Sequence, residues 1–153
     1  MIYTAVMALI LVALPLSGCA HRSDPLFEPS TKSMALMQQA KNRSLSQETR
    51  IEAAHELLQH RSSYDRIIQD PSAALNTRTR ARNLKQADGE RAGAAMHTIA
   101  EEYIANGEAP KARAVYYSVL TLFPVDEYRS ICEAAQTQLK RLDDKEQRKK
   151  DLQ

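Results

Sequence analysis

Between Ser33 and Asp70 the chain contains no proline and no glycine, and Ala, Leu, Gln, Glu and Arg dominate the stretch. These residues lose least on entering helical turns, so the segment has little choice but to be helical. Ser44 followed by Gln47 has the form of a capping box. Behind it Ile51, Ala54, Leu57 and Leu58, then Tyr64, Ile67 and Ile68, recur at helical spacing. Asp70-Pro71 reads as an N-cap with proline at the first helical position, and Asp88-Gly89 as a further boundary. No segment alternates with the period of a half-buried strand. The expectation is an all-α chain of about six helices, packed as antiparallel pairs in a short solenoid or a bundle.

The N-terminus is of a different kind. From Ile2 to Leu14 no side chain is charged, a length that suits a signal-peptide core better than a bilayer-spanning helix. Pro15 ends that run, and Leu16-Ser17-Gly18-Cys19 follows. This tetrapeptide resembles the lipobox of bacterial lipoproteins. The resemblance implies cleavage between Gly18 and Cys19 and acylation of Cys19 at its thiol and new amine. Each buried methylene is worth about 0.8 kcal/mol, so two or three acyl chains anchor where one does not. Residues 1–18 then form the signal peptide and 19–32 a lipidated tether with two prolines. Residues 33–142 form the helical domain, and 143–153 a charged, solvated tail. Ala20 after the modified cysteine, in place of aspartate, implies sorting to the periplasmic face of the outer membrane. The formal net charge of +2 falls wholly on the mature part and is too small to argue for nucleic acid.

One hairpin stands out within the domain. Met96, Ile99, Ala100 and Tyr103 form an apolar face, Asn106-Gly107-Glu108 a turn, and Pro110 and Pro124 bracket a second helix carrying Ala112, Tyr116 and Val119. In this order the residues between 93 and 124 resemble a tetratricopeptide repeat, a 34-residue helix pair. A register shift of that length places Ser62, Asp65, Arg66 and Gln69 in the apolar slots, so no second repeat precedes it in phase. The stretch from Asp126 to Leu142, with Ile131, Ala134, Ala135, Leu139 and Leu142 on one face, suits a capping helix. Either the upstream helices are degenerate repeats, or a partner completes the core. The resemblance also implies a peptide-binding groove along the first helix, at Ala94, His97, Thr98, Glu101 and Ala105. His97 and Glu101 stand where the carboxylate clamp of such repeats needs Lys and Asn, which points to a neutral or basic helix or strand as ligand.

Residues suited to chemistry do not converge. His21, His55, His60 and His97 lack metal-site spacing, and no Cys-x-x-Cys occurs, so no metal or cofactor is expected. Glu101-Glu102 and Asp126-Glu127 are adjacent pairs, which diverge on a helix. Cys132, flanked by Ile131, reads as a small buried apolar residue with no intramolecular disulfide partner after lipidation. Arg78, Arg80, Arg82, Lys85 and Arg91 form a basic cluster, which is either a solvated face paired with nearby acids or a patch that docks an acidic partner or lipid headgroups. No catalytic residues are assigned. The expected function is that of a membrane-anchored, non-catalytic scaffold or assembly factor of the cell envelope. Its partners would be secretin, pilus or outer-membrane assembly components. The alternatives are an inhibitor or immunity lipoprotein, and a cell-wall enzyme.

Overall fold

The computed structural model describes residues 24–152; the lipobox, Cys19 and the residues beside it lie outside this range. The described residues form six helices and no strand: α1 Phe27–Lys41, α2 Gln47–His60, α3 Ser63–Gln69, α4 Leu75–Ala105, α5 Ala109–Leu122 and α6 Arg129–Asp151. The described part of the chain is all-α, in keeping with its composition.

The central element is α4, 31 residues long. Two polar contacts show α1 running parallel to it, Asp24 with Arg80 and Ser33 with Asp88, and further along Ala40 lines the same depression as Ala94 and Ala95. Helix α2 runs the opposite way, with Arg50 against Glu102 and Arg61 against the Lys85 carbonyl. On the other flank α5 is antiparallel to α4, and α6 returns parallel to it with Tyr128 over Gly89 and Ile131 over Gly93. Thus α1, α4 and α6 point one way and α2 and α5 the other, while the short α3 packs on the early turns of α4. The larger core gathers Leu36, Leu57, Met96, Ile99, Tyr103, Tyr116, Val119, Phe123, Tyr128 and Leu139 from five helices. A smaller one joins Leu26, Tyr64 and Ala81 near the start of α1.

Several boundaries differ from the expectation. The tether does not reach Lys32, because Leu26 is buried against Tyr64 and Ala81 and helix α1 begins at Phe27. Pro29 falls in its first turn, where the missing N–H is not needed. Ser46, not Ser44, caps α2 by accepting from the Thr49 amide at 3.2 Å; Ser44 instead donates its amide to Asn42 Oδ1. Asp70 does not start a helix. Its carboxylate accepts from the Ser72 amide at 2.8 Å in a turn, and α4 begins only at Leu75. Asp88-Gly89 is no boundary either but sits in the middle of α4. A Cβ on Gly89 would overlap the Tyr128 hydroxyl, and one on Gly93 would lie 2.6 Å from Ile131 Cδ1. These two glycines are spent on the close approach of α6, not on a break. The charged tail continues α6 to Asp151, and Arg113 of α5 pairs with Asp143 at 3.0 Å and Glu146 at 2.7 Å.

The hairpin of α4 and α5 follows the register read from the sequence. Met96, Ile99, Ala100, Tyr103, Ala112, Tyr116 and Val119 are all buried. Gly107 takes a φ of +79° in the turn, the left-handed conformation in which a helix C-terminus is closed at least cost by glycine. The shift of 34 residues that found no second repeat lands on α3. The hairpin that does lie upstream is α1–α2, set further back by α3 and the first turns of α4.

Candidate functional site: the groove between α4 and α6

The strip of α4 left uncovered between α1 and α6 presents Ala94, His97 and Thr98. On the α6 side they border a shallow groove of about 510 Å³ whose opposite wall is Tyr128, Ser130, Ile131 and Ala134. The depth arises from side-chain size. Gly93 lets α6 come close, and Ala94 and Ala134 leave room above that contact. The floor is therefore mostly apolar. Glu90 and Glu127 stand on the rim, and Arg61 donates to Glu127 Oε2 at 2.9 Å.

Of the five residues expected to face a ligand, Ala94, His97 and Thr98 share this groove. Glu101 lies one turn beyond, half-buried, and accepts from the Tyr116 hydroxyl at 2.9 Å. His97 Nε2 is 3.8 Å from the same carboxylate, and its ring tilts against Tyr116 with centroids 5.6 Å apart. That carboxylate holds the Tyr116 hydroxyl well above its ordinary range, secondary to the larger effect of burial. Ala105 is elsewhere, in a separate depression with Arg43, Gln47 and Glu102. Within the α4 wall the Thr98 hydroxyl donates to the Ala94 carbonyl at 2.9 Å.

The five cations of the basic cluster do not act as one surface. Lys85 Nζ donates to Asp65 at 2.6 Å, Arg91 to Asp88 at 3.1 Å, and Arg80 to Asp24 at 3.3 Å, while Arg78 acts on the Asp70 carboxyl; only Arg82 has no carboxylate beside it among the described residues. Cys132 is buried on α6, and burial pushes its thiol above the usual range. His55 is half-buried, with its imidazole held below its ordinary value by desolvation.

Sequence reading missed the polar cluster centred on Asp88. This carboxylate is 1% exposed and receives Ser33 Oγ at 2.5 Å, the Tyr64 hydroxyl at 3.1 Å and Arg91 Nη1 at 3.1 Å. A second cluster centres on a buried cation, Arg50, which donates to the Ala40 carbonyl at 3.1 Å and forks onto Glu102, holding the Glu102 carboxyl below the usual range. Both clusters fasten helices and face the interior. The signal that pointed to them was weak: an Asp before a Gly reads as a turn until the partner 55 residues away is known.

No group of three or more His, Cys, Asp or Glu side chains is disposed to hold a metal ion among the described residues, and no helix there is long and apolar enough to cross a membrane. No protein-family model matches the chain, and neither a curated protein nor a solved structure matches it.

Proposed function

We propose that the chain is a lipid-anchored envelope protein that captures a segment of a partner protein in the groove between α4 and α6, acting as a scaffold or assembly factor. The lipobox-like Leu16-Ser17-Gly18-Cys19 supports the anchor. The observation that carries the binding role is the open groove itself, with Ala94, His97 and Thr98 on one wall and Ile131 and Ala134 on the other. Its apolar floor suits one face of a helix or an extended segment, and the carboxylates of Glu90 and Glu127 on the rim favour a neutral or basic one. Lipid confinement raises the effective concentration of such a partner near the membrane surface.

A photo-crosslinking residue at Ala94 or Thr98, incorporated in cells, tests this reading. It should trap one envelope protein from both positions, and Ala134→Arg should abolish the product by filling the groove. Equal capture from Tyr117, on the opposite side of α4, would exclude the groove as the binding site. A trapped enzyme that loses activity in the complex would identify an inhibitor in place of an assembly factor.

A further inference from the structure

The end of the molecule where the described residues begin carries features that the groove does not use. Phe27, in the first turn of α1, and Leu75, at the start of α4, are each 68% exposed. The two helices run parallel, and Asp24 lies against Arg80, so both N-termini belong to one slanted end of the domain. Leu75 projects past the level of Phe27 by about seven residues of α4, or about 10 Å at 1.5 Å per residue. Near this end Arg80 pairs with Asp24, Arg78 acts on the Asp70 carboxyl, and Arg82 follows on α4 with no carboxylate beside it among the described residues. Lys32 and Arg66 share an open cleft there with Pro25 and Pro29.

Chain length fixes what this end must face. Five residues separate Asp24 from Cys19, and a chain of that length spans at most roughly 18 Å in any conformation. A lipid on Cys19 therefore holds Asp24 within that distance of the acyl chains, and Asp24 is tied through Arg80 to the same end of the domain that carries Phe27 and Leu75. We propose that the slanted end formed by the N-termini of α1 and α4 lies on the phospholipid surface, with Phe27 and Leu75 entering the interfacial region and the surrounding cations meeting anionic headgroups. Aromatic and aliphatic side chains flanked by Lys and Arg are the composition that binds such an interface. This inference rests on the lipid-anchor reading and adds an orientation to it: the domain stands end-on, with its groove carried away from the bilayer.

The test uses the full lipidated chain in vesicles of phosphatidylethanolamine with a minority of phosphatidylglycerol. Because the sequence has no tryptophan, Phe27→Trp, Leu75→Trp and Tyr117→Trp each create a single emitter. Emission from positions 27 and 75 should shift to the blue and be quenched by brominated acyl chains, and that from 117 should not. Replacing phosphatidylglycerol with phosphatidylcholine should reduce the response. Water-like emission at 27 and 75, with the lipid on Cys19 confirmed by mass spectrometry, would overturn the orientation and leave the anchor standing. Equal quenching at all three sites would overturn it as well. Absence of lipid on Cys19 would remove the anchor reading and the inference together.

Discussion

Ala112 shows how little room single positions have. It is fully buried on α5, in the same core as Ala100, Tyr103 and Tyr116. A leucine there has no volume to occupy, and overpacking costs about 1–3 kcal/mol, a sizeable share of the ~5–15 kcal/mol that holds a domain together. Ala112→Leu should therefore lower the thermal midpoint of unfolding by several degrees in a circular dichroism melt. Ala114→Leu, two residues on but exposed, should leave it nearly unchanged. Equal melting of both variants would mean that Ala112 does not lie in a closely packed core. Lys111, one residue from Ala112, would make a poor control. It reads as a solvent-facing residue, yet its ammonium reaches Glu108 at 3.1 Å and lies 5.3 Å over the Tyr103 ring.

Legibility at the level of elements followed the range of the forces involved. The helices of the 93–124 hairpin could be read because glycine and proline act within one or two residues, and because apolar spacing reports burial directly. Asp70-Pro71 and Asp88-Gly89 were misread because the same short-range signals serve long-range ends. The first makes a turn before a helix that starts later, and the second lets Tyr128 press onto α4. The resemblance to a tetratricopeptide hairpin pointed to one face of α4; Ala94, His97 and Thr98 of that face border the open groove, and Ala105 does not. The α6 wall of the groove depends on which helix stacks beside α4, and no local pattern encodes that. The Asp88 cluster has the same origin. It joins α1, α3 and α4 through Ser33, Tyr64 and Arg91, so it should govern how those elements detach. Asp88→Ala would leave the buried Ser33 and Tyr64 hydroxyls, 3.0 Å apart, with only each other as partner, a loss of about 1–3 kcal/mol. Hydrogen exchange should then quicken in Phe27–Lys41 and Ser63–Gln69 well before it does in Ala109–Leu122. Uniform acceleration across all helices would show that the cluster has no such local role.

At the scale of the whole molecule, α4 joins both cores into one body, about 45 Å long at 1.5 Å per residue. Its start lies at the end proposed for the membrane, and the groove lies beyond its midpoint, on the turns from Gly93 to Thr98. Side chains that span this length also give the fold a dependence on protons. Tyr64, Tyr103, Tyr116 and Tyr128 come from four helices or their caps, and each is buried. Desolvation is the leading cause that raises all four phenols, with Tyr103 pushed to about 12. A phenol held neutral by the fold stabilises it fully below its unfolded value, near 10, and loses that contribution as pH climbs toward the folded one. The unfolded chain releases those protons first, so base drives unfolding. Up to four protons leave together, and stability falls by at most about 5 kcal/mol per pH unit above pH ~10. In a Tyr3→Phe, Tyr117→Phe background, which leaves only the four buried rings, tyrosinate absorbance, read without interference from tryptophan, should rise in a single steep step that coincides with loss of helicity. A gradual rise while the helices persist would mean that these four rings ionise in the folded protein.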